Sequence, residues 1–431
     1  METSYLKYLL PCLLLSLFAG ACGQREERVV SDGFIDSLIT HYSCAAIAAA
    51  NVDEMHFWEG RINPALPGYV DESRYAGGLA MEFRFFGEID SLKKADSILL
   101  KVDRDFNHRE ASADLGLMAH CLTEHRFMQA DSLLLRAKSL GLRPQESLTA
   151  SFDVDFELGR YSAAQIELNS LRCPDDYGYF FRRSKMDHLK GSLDSAIHDM
   201  ENAADLSAGN AYLMGVALAN AGDLYIHAGD LPAAGRAYKK CILLNSADFH
   251  SLMGLGWIAL VHDHNDSLAA RIFQFVATKN GLPDPLFKMA QMPDSNLARR
   301  SALAFSRIAA DARYGRMYDK YLIQLYTGIL YDPALAESLA HDELNNRATP
   351  QTYAWYAWAL FVNGKKQAAY GIFEKYVSGR PLEGLELYYM GKMMKGLDKG
   401  YNAQAFFKAA YETRYDLGPA IELDIQKELD N

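Results

Sequence analysis

Leu218-Ala219-Asn220-Ala221-Gly222-Asp223-Leu224-Tyr225-Ile226-His227-Ala228-Gly229-Asp230-Leu231-Pro232-Ala233-Ala234-Gly235-Arg236-Ala237-Tyr238 reads as two helices joined by a short turn. Gly229 is a natural left-handed stop for the first helix. Gly222 and Ala234 are small enough to let the two helices approach closely. Leu218, Tyr225 and Tyr238 are larger and fill the seam at helical spacing.

The same grammar recurs on both sides. Gly159-Arg160-Tyr161-Ser162-Ala163-Ala164 leads to Leu168, and Gly191-Ser192-Leu193-Asp194-Ser195-Ala196 to Met200. Further on, Gly364 precedes Ala369, Phe373 and Pro381, and Gly391 precedes Ala403, Phe407 and Ala410. The anchors Ala130, Ala164, Ala196, Ala234 and Ala269 are separated by 34, 32, 38 and 35 residues, and Ala369 and Ala403 by 34. A sustained period of this length is the mark of a stacked repeat rather than a compact core. At 431 residues the chain also exceeds the roughly 250–300 at which single cores stop growing.

These residues resemble the tetratricopeptide repeat, a helix–turn–helix unit, most closely over 215–248 and 350–383. The resemblance extends over about 73–278 and 350–417 and implies an all-α, right-handed α-solenoid. The expected division is a tether at 22–33, an N-terminal helical cap at 34–72, repeats at 73–282, and repeats again at 350–417. A capping helix at 418–431 would follow. Pro283, Pro285 and Pro293 interrupt the pattern, so 283–349 is either a set of degenerate repeats or a joint between two arrays.

The resemblance also implies which side chains face the concave groove. They are Phe181 and Lys185 with Arg182 beside them, then Asp223 and His227, then Trp358 with Trp355 at the margin, and finally Tyr388 and Lys392. Tyr353, Tyr356 and Leu360 would pack inward. Aromatics and Arg are the side chains that most often dominate binding energy, so these nine are the candidate partner-binding residues.

Residues 1–21 read as a signal peptide, with Lys7 ahead of an apolar run from Leu9 to Phe18. That run is far shorter than the roughly 20 residues a spanning helix needs. Phe18-Ala19-Gly20-Ala21-Cys22, followed by a polar switch, resembles a bacterial lipoprotein signal, and Cys22 would then carry the lipid. Ala19 stands where that pattern usually has Leu, Val or Ile, and Ala19-x-Ala21 also fits ordinary signal peptidase. The implied location is the cell envelope, on the outer membrane, as in tetratricopeptide lipoproteins of Bacteroidota. Of the remaining cysteines, Cys121 and Cys241 fall at core-facing repeat positions and read as buried free thiols, and no C-x-x-C pair occurs.

The net charge of −11 argues against nucleic acid, whose phosphates need a basic face. Phosphate-loop, zinc-protease and nucleophile-elbow motifs are absent from the sequence. His262-Asp263-His264 with Asp266 is the cluster most like a metal site, but it falls in an inter-helix turn where polar residues are expected. The reading is a non-catalytic scaffold without cofactor or metal, holding a protein or peptide in a concave groove. The alternative is a glycan-capturing lipoprotein feeding an outer-membrane transporter, although such proteins carry large insertions for which this chain has no room.

Overall fold

The computed structural model describes residues 27–171, 176–397 and 401–430. The signal peptide and Cys22, together with Cys12 and Cys173, lie outside the described residues. The chain is an all-α, right-handed α-solenoid of tetratricopeptide-type helix pairs, with no strand among the described residues.

Two helices precede the array, α1 (Asp32–Thr40) and α2 (Ala45–Glu59). Six pairs follow: α3/α4 (Tyr69–Phe86, Ile89–Asp105), α5/α6 (Ala111–Thr123, Phe127–Leu140), α7/α8 (Pro144–Glu157, Tyr161–Ser170), α9/α10 (Tyr177–Leu189, Leu193–Leu206), α11/α12 (Ala211–Ala228, Leu231–Leu244) and α13/α14 (Phe249–Val261, Asp266–Ala277). The remainder comprises α15/α16 (Asp284–Met289, Ser295–Ala309), α17/α18 (Asp319–Thr327, Pro333–Asn346), α19/α20 (Pro350–Val362, Lys366–Ile372), α21/α22 (Gly384–Leu397, Ala403–Glu412), and the terminal α23 (Arg414–Leu417) and α24 (Pro419–Leu429).

Each pair is built by the same local chemistry. Asp230, Asn265, Asp332 and Asn402 each accept a backbone N–H in the first turn of a second helix, satisfying a donor the helix start leaves open. Small residues on first helices receive large ones from second helices. A Cβ on Gly222 would overlap the Tyr238 ring, and one on Gly391 would lie 2.7 Å from Phe407. Tyr238 is fully buried, held between Gly222 of its own pair and Gly254 of the next. The turns need one residue at positive φ. Gly87, Gly159, Gly191, Gly229 and Gly364 supply it in five pairs, and His125, His264 and Tyr331 in three others.

The winding departs from an open solenoid. After α14 the chain has completed one turn: the Gly281 N–H bonds the Phe86 carbonyl at 2.7 Å, at the end of α3. From there it runs alongside its own first turn. The Arg316 N–H reaches the Glu124 carbonyl at 2.8 Å. The Asn346 side chain accepts from the Phe127 N–H at 2.9 Å and donates to the His125 carbonyl at 2.7 Å. His227 pairs with Asp416 at 2.7 Å, and the Trp257 indole donates to the Tyr415 carbonyl at 2.7 Å. The bridges between the turns span 158 residues for Trp257–Tyr415, 186 for Arg126–Ala312, 189 for His227–Asp416, 195 for Asn280–Phe85 and 221 for Asn346–His125. The second turn thus lies against the first over most of its length. Residues 283–349 are therefore not a joint. They form two irregular pairs, α15/α16 and α17/α18, and Phe287, Phe305 and Tyr318 share a core with Phe83, Ile89 and Leu92 of the first pair.

The N-terminal segment also differs from the expected cap. Only α2 packs on the first pair, through Met55 against Tyr75 and Leu79. Helix α1 sits instead on the fifth and sixth pairs, where Ile35 joins the core of Tyr238, Phe249 and Phe273. The Asp263 carboxylate fastens it there, accepting the Val29 and Val30 N–H groups at 2.9 and 2.8 Å. Asp263, read as part of a possible metal cluster, is a clamp on the chain's own backbone. Among the described residues no group of three or more potential ligands could hold a metal ion, and no helix is long and apolar enough to cross a membrane.

Candidate functional site

The inner helices of the first turn face the second turn across a cavity of about 400 Å³. Its walls carry both signs of charge: Lys185, Lys288 and Lys320 against Asp223, Glu383 and Asp416. Phe287, Tyr321, Leu224, Leu385 and Leu417 supply the apolar area. Asn220 and Asp223 are shared with a second cavity of about 340 Å³ reaching Phe85 and Tyr212, and Lys288 and Asp416 with a third of about 250 Å³ beside Trp257 and His250. On the opposite side Lys185, Lys320 and Glu383 open into a fourth of about 260 Å³, bounded by Phe156, Arg347 and Trp355. Together they form one slot between the two turns.

The charges in the slot are arranged in pairs. Asp223 accepts from the Tyr238 hydroxyl at 2.6 Å and meets His250 at 2.9 Å, so its carboxylate drives the His250 imidazole up to about 9. Burial alone would depress His227, but its hydrogen bond and charge contact with Asp416 prevail and raise it. His188 has no such partner; burial, with the neighbouring His227, lowers it. Lys185 holds Glu157 at 2.9 Å. Lys320 lies 3.9 Å from Glu383 and 3.8 Å from Glu386, and the two carboxylates keep its ammonium charged against the cost of burial.

Lys288 differs from all of these. Among the described residues no acceptor lies within hydrogen-bonding distance of its ammonium and no carboxylate within 4.0 Å. It rests 3.8 Å over the Trp257 ring, and burial lowers its pKa despite Asp223, Asp416 and Asp284 farther off.

The residues expected along the groove divide accordingly. Lys185, Asp223 and His227 meet in the central cavity. Phe181 and Arg182 do not. Phe181 stacks on Tyr177 with ring centroids 5.7 Å apart, and Arg182 grips Asp153 through both nitrogens at 3.0 and 2.5 Å. Trp355 is interior rather than marginal: it is 4% exposed and its indole donates to Glu386 at 2.5 Å. Trp358 stacks flat on Tyr389 at 4.9 Å and edges a separate apolar cavity of about 230 Å³, where its indole N–H has no partner among the described residues. The C-terminal helix α24 covers Tyr388 and Lys392. Asp424 accepts from the Tyr388 hydroxyl at 2.8 Å, and Lys392 reaches Asp424 and Glu428 at 2.9 Å each. Leu360 is buried, and Tyr353 and Tyr356, partly buried, pack against the same core.

Sequence reasoning missed Lys288, Lys320, Glu383 and Asp416, all on the second turn. The available signal was a lysine set inside otherwise apolar helical stretches, Pro285-Leu286-Phe287-Lys288-Met289-Ala290 and Lys320-Tyr321-Leu322-Ile323. Cys121 and Cys241 are buried free thiols, with burial pushing both up to about 12.

No protein-family model matches the sequence, and no curated protein matches it. Among solved structures, the chain is similar to a tetratricopeptide repeat protein from Parabacteroides merdae, at 17% identity over 67% of this chain and 99% of that one, with a TM-score of 0.31. It is similar to yeast Tom70 at 13% identity over 83% and 96%, with a TM-score of 0.35. A human IFIT1 dimer with PPP-AAAA matches at 12% identity over 77% and 78%, with a TM-score of 0.45.

Proposed function

We propose that the chain is a non-catalytic binding scaffold of the bacterial cell envelope, lipid-anchored at Cys22 on the outer membrane, that takes a peptide or an extended protein segment between its two turns. The observation that carries this reading is the slot itself. Six repeat pairs direct their inner faces at one axis, and the second turn narrows that space to a line of connected cavities. Stacked helix pairs create such a surface without catalytic residues. The charge pairs along the slot fit none of the hydrolytic, redox or phosphoryl-transfer arrangements.

The reading is tested with the mature lipoprotein displayed on vesicles and a library of extended peptides. Saturable binding lost in Leu224→Trp, which fills the central cavity, supports it. Equal binding by that variant places the partner elsewhere. Intact-mass analysis of the mature N-terminus tests the anchor separately: an unmodified Cys22 would remove the lipid and leave the binding reading standing.

A further inference from the structure

We propose that the central cavity is a site for a short free peptide of two or three residues, whose C-terminal carboxylate is taken by Lys288 and whose N-terminal amine is taken by Glu383. This rests on the slot as the binding site and names the chemistry of its ligand.

Among the cavity's charged side chains, Lys288 has no close partner, and Glu383 shares its one cation, Lys320, with Glu386. Asp223 is committed to Tyr238 and His250, Asp416 to His227, and Lys185 to Glu157. Lys288 keeps all three donors without a protein acceptor and is held against Trp257 only by its attraction to the ring. Glu383 is the reverse case. Its carboxylate receives no hydrogen bond among the described residues, its nearest cation is Lys320 at 3.9 Å, and half of its side chain is open to the cavity. For Lys288, which is partly buried, a charge without a hydrogen-bonded partner is costly unless water or a ligand serves it.

The wall therefore offers one unpartnered cation and one half-open carboxylate that shares a single cation with Glu386, with apolar surface among them. A polyanion would meet Asp223, Glu383 and Asp416, and a simple organic anion would leave Glu383 and Glu386 with one cation between them. A zwitterion satisfies both ends. At about 400 Å³ the cavity has the size that encloses small molecules, and Leu224, Phe287, Leu385 and Leu417 favour apolar side chains. Carboxylate binding would also favour the ammonium form of Lys288, against which burial acts.

The experiment is calorimetric titration of the full mature chain with Leu-Leu, Phe-Leu and Ala-Leu-Leu, each free, as its C-terminal amide, and N-acetylated, followed in parallel by tryptophan fluorescence. At least one free peptide should bind, with Kd raised ten-fold or more by either blocking group. Lys288→Met should abolish the preference for acid over amide. Glu383→Gln should abolish the preference for free over acetylated amine, and both variants should melt like the parent. A carboxylate drawing Lys288 off the ring should change Trp257 emission in the parent and not in Lys288→Met. If blocked and free peptides bind alike, this inference is overturned while the slot remains a peptide site. If no peptide binds in any form, the slot reading falls with it.

Discussion

The first turn, α3 to α14, and the second, α15 to α24, are made from the same helix pair but are held in different ways. In the first turn a pair meets mainly its neighbours in sequence, so one set of small and large anchors repeats: Gly222 under Tyr238, Gly256 under Phe273. In the second turn a pair must fit its neighbour and also a pair of the first turn. The anchors give way to residues chosen for that second contact. Asn346 bridges to the turn before α6, Lys288 lies on Trp257, and Tyr415 fits beside Gly229. Regular repeats thus report one-dimensional packing, and their decay reports where a solenoid touches itself.

The largest effect should come from the first turn. Gly222→Leu drives a side chain into the Tyr238 ring and should cost about 3 kcal/mol, lowering the melting midpoint of the whole chain by circular dichroism. Gly391→Leu, the matching change against Phe407 near the chain end, should loosen only α21 to α24. If it unfolds the protein as thoroughly, the two turns are equally cooperative and the contrast fails.

Asn346→Ala removes two buried hydrogen bonds between turns and leaves the Phe127 N–H without a partner, at a cost of about 2–3 kcal/mol. Hydrogen exchange should rise in α17 and α18 before it rises in α11 and α12. Uniform deprotection would mean that Asn346 is no more a bridge than any other buried residue.

Acidity acts with a definite sign on His250–Asp223 within the first turn and on His227–Asp416 between the turns. The raised imidazoles of His250 and His227 contribute stability that is complete below their ordinary value near 6.5. It is lost as pH rises, through about 9 for His250. The melting midpoint should fall across that window, and the His227→Gln, His250→Gln double variant should flatten the profile. A parent profile that is already flat would show that these pairs are too hydrated to matter.

The smallest effect is a gain. Tyr331 is exposed and holds φ +47°, a conformation that costs a non-glycine residue about 1–2 kcal/mol. Tyr331→Gly should raise the melting midpoint slightly, by about 1 kcal/mol or less after the added chain entropy. The same change at Gly229 has no counterpart, since glycine is already there.

What could be read from the sequence follows the same division. The pairs at 215–248 and 350–383 were legible because their anchors lie within one unit. The turn histidines were not recognised as stand-ins for glycine, so His264 drew attention as chemistry when it serves backbone geometry. Lys185, Asp223 and His227 line the central cavity, but the closure of the slot by the second turn was invisible. It depends on pairings such as Arg126 with Ala312, 186 residues apart, which leave no periodic trace. Trp355 was misplaced for that reason: its face of α19 meets Glu386 of α21 and the cation of Arg347 rather than open solvent.

The clamp at Asp263 sets a mooring length. Val29 and Val30 are fixed on the turn between α13 and α14, so only six residues lie between Cys22 and the first anchored backbone. Fully extended, the seven residue steps from Cys22 to Val29 reach roughly 25 Å. A chain lipidated at Cys22, as proposed, would ride with its sixth pair nearest the bilayer, its heading set by the protein rather than by a loose leash. Asp263→Ala would lengthen that leash and let the same molecule swing, with its folded body unchanged.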